Sequence, residues 1–192
     1  MASSLEFTVT KFEPEFYVSA HDMERKLNIR ALELLQRSRQ GEAYQDQQFL
    51  DVVCGTGDFT RDHLLPHCSP CGRKVAVDVS SEMIEFARKH FAHSKICFDT
   101  LDISEKDVDD FITKYGQFDR VYSFFCLHWV KDQRTALKNV SALLKPGGDC
   151  FLLFTAYTHT TRLRRKLAKM DHWKKCAGGE TAFGILFEYP IP

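Results

Sequence analysis

Between Met23 and Gln36 the apolar residues return at Leu27, Ala31, Leu34 and Leu35, the spacing of one helical face, and predict an amphipathic helix. A polar stretch from Arg37 to Gln48 leads into a short apolar run, Phe49 to Val53, read as a first strand. Gly55 to Gly57 then opens a helix through Asp58 to about Leu65, and Lys74 to Asp78 makes a second strand. Ser80 or Ser81 caps a helix with Glu82 in its first turn and Met83, Ala87, His90 and Phe91 on its inner face. Ile96 to Phe98 is a third strand, with Asp102 just beyond it, and Val108 to Tyr115 is helical. Phe118 to Leu127, almost wholly apolar and aromatic, suits a central strand buried on both faces. Asp132 caps a helix with the stripe Ala136, Leu137, Val140 and Leu144, which Lys145-Pro146-Gly147-Gly148 ends before a fifth strand, Cys150 to Tyr157. Alternation of strand and helix predicts an α/β fold, a doubly wound and mostly parallel sheet with ligands at the carboxyl ends of its strands.

With 192 residues, 44% of them hydrophobic, the chain can bury one core but hardly two. We divide it into an N-terminal helical segment or lid (1–48), a core (49–157), and a basic helix with a short tail (158–192). Lys+Arg and Asp+Glu both number 26, so no net field draws the chain to nucleic acid, and a small molecule is the expected partner. No window reaches the roughly 18 apolar residues of a membrane span, and a cytoplasmic location is expected. Seven cysteines, an odd number, argue for reduced thiols. His63, His67, Cys68 and Cys71 resemble a metal-ligand set, yet they flank Pro66 and Pro70 and lack a second cysteine pair, so a loop of chance composition explains them as well.

The chemistry concentrates in Leu50-Asp51-Val52-Val53-Cys54-Gly55-Thr56-Gly57, with Asp78 closing the next strand. Glycines there let a backbone approach a ligand that any Cβ would exclude, and an acid on the neighbouring strand can accept hydrogen bonds from ribose hydroxyls. A dinucleotide site wants a third glycine where Thr60 stands, and Asp58 sets a negative charge beside any phosphate. A nucleoside with a sulfonium cation and an amino-acid head tolerates that charge, so S-adenosyl-L-methionine fits better than NAD, whose oxidoreductases are the weaker rival.

This order of motifs, from Phe49 to Tyr157, resembles the class I S-adenosylmethionine-dependent methyltransferases, which have a Rossmann-like fold. Phe124-Phe125-Cys126-Leu127-His128-Trp129-Val130, with Glu13-Pro14-Glu15-Phe16-Tyr17 near the start, is similar in particular to the juvenile hormone acid O-methyltransferases. The resemblance implies that Asp51, Cys54, Gly55 and Gly57 line the methionine part and that Asp78 holds the ribose. It also implies that Asp102, with Asp99 as competitor, meets the adenine amino group, while Leu127 closes over the cofactor. Two departures stand out. The family usually has glycine where Val53 stands, and it continues past strand five through a helix and an antiparallel hairpin. Here Arg162 to Met170 is a basic, helix-like run whose charges suit a solvated face, and one strand, Ile185 to Tyr189, is expected after it. A chain without the hairpin would be a truncated form, with strand five an exposed edge inviting self-association.

An apolar carboxylic acid, a juvenile-hormone-acid or farnesoic-acid-like molecule, is the expected substrate. It is anionic at neutral pH and needs positioning more than a base. His128 and Trp129 are the candidates for the reaction side, imidazole bonding the carboxylate and indole excluding water; the alternative packs Trp129 under the next helix with His128 in solvent. Tyr17, His21 and Glu24 are candidates for a lid over the substrate, although a surface helix explains them too. A catalytically silent relative that binds cofactor or a partner is the second functional expectation.

Overall fold

A computed structural model describes residues 13–38, 46–68, 70–155, 166–167 and 170. Strands β1 (Gln48–Val52), β2 (Arg73–Asp78), β3 (Ile96–Thr100), β4 (Phe118–Phe124) and β5 (Leu144–Leu153) form one sheet in the order β3-β2-β1-β4-β5. Every adjacent pair is parallel. Parallel neighbours need a crossover, which helices supply: α4 (Ser81–His90), α5 (Asp109–Tyr115) and α6 (Gln133–Leu143), with a π-helical turn (Thr60–Leu64) running into α3 (Leu65–His67). Helices α1 (Pro14–Ala20) and α2 (Asp22–Ser38) precede the sheet.

The two-residue period of the strands sorts side chains onto two faces. Leu50, Val52, Val75, Val77 and Val121 pack with Phe111, Ala136, Val140 and Leu143 on one. On the other, Phe49, Tyr122 and Phe124 meet Leu32 of α2 together with Phe59, Leu64 and Leu65. Ser80 accepts the Met83 N–H at 3.3 Å and Asp132 the Thr135 N–H at 3.0 Å, the two expected helix caps.

The structure corrects several positions. Helix α2 is turned by about one residue from its expected phase: Asn28 and Leu32 are buried and Leu35 packs against the core, whereas Leu27 and Leu34 are exposed, Leu34 by 54%. Packing against Phe49 and Phe59 decides that phase, over the longer apolar stripe. In α4 the inner position goes to Ile84, while His90 is exposed and stacks on Phe86 at 4.3 Å. In α6 Asn139 is buried where Leu137 is exposed, and it donates to the carbonyls of Ile103 (2.9 Å) and Glu105 (2.8 Å), while Leu144, the first residue of β5, packs against the same core. Strand β3 runs two residues further than expected, to Thr100. Strand β4 stops at Phe124, because Phe125 is left-handed (φ 50°) and Leu127–Trp129 is a 3-10 turn. Strand β5 begins at Leu144, so the Lys145–Gly148 break lies inside it. It is the outer strand beside β4 among the described residues. The expectations for the Arg162–Met170 helix, apart from positions 166–167 and 170, and for an Ile185–Tyr189 strand fall outside those residues. No helix among the described residues is long and apolar enough to cross a membrane.

Candidate functional site

Strand β1 leaves the sheet through three left-handed residues, Val53 (φ 62°), Gly55 (φ 56°) and Gly57 (φ 76°). Glycine takes that conformation at no steric cost; valine, with branching at Cβ, does so against steric resistance. The bend is pinned by Cys54 N–H donating to the Val77 carbonyl (2.8 Å) and Gly57 N–H to the Cys54 carbonyl (3.1 Å). The two glycines serve different ends. A Cβ on Gly57 would sit 2.6 Å from Phe98 Cε1 and 2.9 Å from Ala87 Cβ, so that glycine lets the turn press on α4 and β3. A Cβ on Gly55 would stand 3.3 Å from Tyr17 Cε1, so that glycine faces the N-terminal helices.

Asp78, at the tip of β2, builds this turn. Its Oδ2 accepts the Gly55 N–H and its Oδ1 the Ser80 N–H, both at 2.9 Å. Burial, with 5% of the residue exposed, pushes its carboxyl up from the ordinary value against those two bonds and a third from the Val79 backbone. Three N–H donors against the carboxylate's roughly four lone pairs leave it capacity for one hydroxyl donor.

Beside the turn lies a cavity lined by Tyr17, His21, Glu24 and Asn28 from the N-terminal helices, Asp51, Val53 and Cys54 from β1 and its exit, Asp58 and Phe59, and Phe124 and Phe125 from the end of β4. The left-handed turn at Phe125, whose N–H donates to the Leu153 carbonyl (2.6 Å), carries that ring past the strand's end. Asp51 is wholly buried; burial pushes its carboxyl up to about 6, although the Thr60 hydroxyl donates to Oδ2 at 2.6 Å. Thr60 thus uses the place of a dinucleotide site's third glycine to hold this acid. Asp58 accepts from Thr56 Oγ1 (2.7 Å) and Arg25 Nη2 (2.6 Å), with His21 Nε2 at 3.3 Å. Burial opposes its charge, but the bonds from His21, Thr56 and Arg25 outweigh burial and hold the carboxyl well below the usual range. His21 is the counterpart: burial favours neutral imidazole, yet Asp58 and the Tyr17 carbonyl, 2.5 Å from Nδ1, raise its pKa above the ordinary value. Burial also lifts the Tyr17 phenol to about 12 and the Cys54 thiol well above its usual value, so both stay protonated.

Of the residues singled out from sequence, Tyr17, His21, Glu24, Asp51 and Cys54 meet in this cavity. Gly55, Gly57 and Asp78 form the adjoining turn. Asp102 lies at the end of β3's exit and closes its own turn, Oδ1 accepting Ser104 N–H (2.8 Å) and Oγ (2.6 Å). Asp99 is engaged by Lys114 Nζ (2.8 Å) and Tyr115 OH (2.7 Å). Leu127 is buried in the core, His128 is half-buried with Nδ1 unpartnered, and Trp129 is 56% exposed. Sequence reasoning passed over Asn28, Phe59, Phe124 and Phe125 as site residues. Only Asn28, a polar residue four positions before the apolar Leu32, carried a local signal. Among the described residues no group of three or more His, Cys, Asp and Glu is disposed to hold a metal; Cys68 and Cys71 are buried free thiols.

The carboxylates of Glu24, Asp51 and Asp58 share the lining with the rings of Tyr17, Phe59, Phe124 and Phe125, and this composition fits a ligand with a cationic head and an apolar sulfur-bearing stem. Residues 50–150 match the family model described as "Methyltransferase domain". The chain is 32% identical over 163 residues to a juvenile hormone acid O-methyltransferase of Drosophila melanogaster, covering 84% of this chain and 54% of that protein. The same enzyme of Bombyx mori is 31% identical over 159 residues, covering 83% and 56%. The chain therefore spans about half the length of these curated relatives. Among solved structures, the N-methyltransferase NodS of Bradyrhizobium japonicum WM9, in complex with S-adenosyl-L-homocysteine, superposes with a TM-score of 0.52 at 25% identity, covering 74% of this chain and 67% of that one. The carboxyl-end cavity, the left-handed turn with its acidic neighbour and the matched domain agree, and the chain belongs to the methyltransferase-domain family in its class I, S-adenosylmethionine-dependent form.

Proposed function

We propose that this protein transfers a methyl group from S-adenosylmethionine to the carboxylate of a small, apolar acid. The observation that carries the reading is the cavity where the left-handed turn, the buried Asp51 and the rings of Tyr17, Phe59, Phe124 and Phe125 meet. The substrate class follows the two relatives' names and that aromatic wall. When bound, the cofactor supplies an electrophilic methyl group on a sulfonium. The chain's own residues bind and align: Gly55, Gly57 and Cys54 shape the backbone cradle, Asp51 and Asp78 offer acceptors, and Asp102 and Leu127 border the adenine side. Tyr17, His21 and Glu24 stand on the substrate side. His128, whose pKa burial lowers, is neutral at pH 7 and can donate a hydrogen bond to a carboxylate, while Trp129 limits access of water. An ionised acceptor needs no general base, and alignment in such a pocket is worth about 7–11 kcal/mol.

A second reading, cofactor binding without turnover, is favoured by one observation: Val53 places a branched side chain in the cavity. Methyl incorporation from labelled cofactor across a panel of terpenoid and fatty acids, run beside calorimetric titration with S-adenosylhomocysteine, separates the two. Turnover on an apolar acid supports transfer, binding without incorporation supports the silent form, and absence of binding sinks both.

A further inference from the structure

Helix α2 has two unlike faces. Toward the sheet, Asn28 and Leu32 are buried, Ile29 and Leu35 pack against the core, and Arg25 fastens the helix to Asp58. The outer face carries Met23, Lys26, Leu27, Arg30 and Leu34, whose spacing of i, i+3, i+4, i+7 and i+11 is one stripe of a helix. All five are exposed, Met23 by 71%, Leu34 by 54% and Leu27 by 46%. Apolar residues scattered singly over a surface are ordinary, but three on one helical stripe form a patch that water disfavours.

The charges on that stripe have one sign. Lys26 and Arg30 stand among the apolar residues and no acid does. Asp22 and Glu33 lie beyond its margin, paired with Arg25 and Arg30 at 3.0 Å each, and Glu24 lines the cavity. Lys26 has neither a hydrogen bond nor an ion pair among the described residues. A second copy of the chain suits this face poorly, because a two-fold contact would gather the same two cations of each copy in one patch. A surface that is apolar beneath and anionic above satisfies both kinds of side chain. Met and Leu enter the acyl boundary, while Lys and Arg lay their stems along it and hold their charged heads at the headgroups.

We propose that the outer face of α2 docks on an anionic lipid bilayer, the helix lying along the boundary of headgroups and acyl chains. Glu24 and Asn28, interleaved with the stripe in sequence, line the cavity. Docking therefore brings that cavity within about one helix diameter, 10–12 Å, of lipid, where an apolar acid concentrates. This last consequence rests on the function proposed above, whereas the docking does not.

Vesicle flotation of the full chain tests the docking, with vesicles of phosphatidylcholine alone and of phosphatidylcholine with about one-third phosphatidylserine. The unsubstituted chain should float with the anionic vesicles, stay behind with the neutral ones and be released as salt is raised. Lys26→Glu removes a cation that pairs with nothing and Leu27→Ser removes an exposed apolar side chain, and each should lower the partition coefficient about 10-fold or more. Thermal unfolding shows that each variant is folded, and Lys26→Glu decides the matter alone if Leu27→Ser is not. Absence of flotation, equal flotation with neutral vesicles, or undiminished flotation of either folded variant would overturn the docking. So would a dimer in sedimentation velocity that dissociates in Leu27→Ser, which would assign the face to a second copy. These readouts need neither cofactor nor turnover, so a failure of methyl transfer would leave the docking standing.

Discussion

Arg25 Nη2 donates to Asp58 Oδ2 at 2.6 Å across 33 residues of sequence, tying helix α2 to the start of the helical segment that follows the glycine turn. Arg25 also donates to Asp22 Oδ1 (3.0 Å) and to the Val18 carbonyl (3.0 Å), so one guanidinium joins both N-terminal helices to the cofactor side. Through this tether, four residues far from the glycine turn in sequence, Tyr17, His21, Glu24 and Asn28, come to line its cavity.

Arg25→Ala should cost about 1–3 kcal/mol, because it leaves the Asp58 carboxylate buried with two of its three partners. Urea unfolding gives the global loss. Hydrogen exchange should quicken first in residues 14–38, and unchanged protection there would deny the tether.

Asp58 and His21 make that docking depend on pH in opposite senses. The depressed Asp58 pKa contributes stability above about pH 4 that is lost as pH falls through its folded value. The raised His21 pKa contributes stability that is full below about pH 6 and is lost as pH rises through its folded value. Thermal unfolding of His21→Gln should thus differ most from the unsubstituted protein near pH 6 and least near pH 8.5; a constant gap would remove imidazolium from the account.

Asp51 carries the reverse sign for an acid. With its carboxyl pushed up to about 6, stability falls as pH rises from about 4 to 6 and stays lower beyond. Asp51→Asn should stabilise the fold by about 1–3 kcal/mol at pH 7 and by almost nothing at pH 4, while weakening S-adenosylhomocysteine binding. Denaturant midpoints at the two pH values test the first half and calorimetry the second. Stabilisation without loss of binding would take Asp51 out of the site.

Val53→Gly should relieve about 1–2 kcal/mol of left-handed strain and give back about 0.5–1 kcal/mol in backbone entropy, together with some packing against the core. Stability should stay within about 1 kcal/mol of the starting value. Affinity for S-adenosylhomocysteine should rise several-fold, because the branched side chain leaves the cavity. An unchanged affinity would show that the bend has room for valine and would weaken the silent-protein reading.

Gly57→Ala and Gly147→Ala separate packing from conformation. Both glycines are left-handed, at φ 76° and 79°. A Cβ at 57 meets Phe98 and Ala87, whereas one at 147 has nothing within 4 Å. Denaturant titration should give a loss of about 1 kcal/mol at 147 and about 3 kcal/mol or more at 57.

The sequence by itself determined the alternation of strands and helices, hence the parallel sheet, and it marked the glycine turn with Asp51 and Asp78. These depend on local period, caps and left-handed glycines, which a short window of residues carries. It did not determine the phase of α2, the end of β4 or the far wall of the cavity. Leu27 and Leu34 complete an apolar stripe as good as the true one, and only contact with Phe49 and Phe59 favours the face bearing Asn28 and Leu32. Phe125 stops β4 through a left-handed turn that nothing in its side chain announces, and so delivers two rings to the site. Residues that meet across 33 positions, as Arg25 and Asp58 do, are matched by the packing of helices on a sheet, and that matching is a property of the tertiary structure alone.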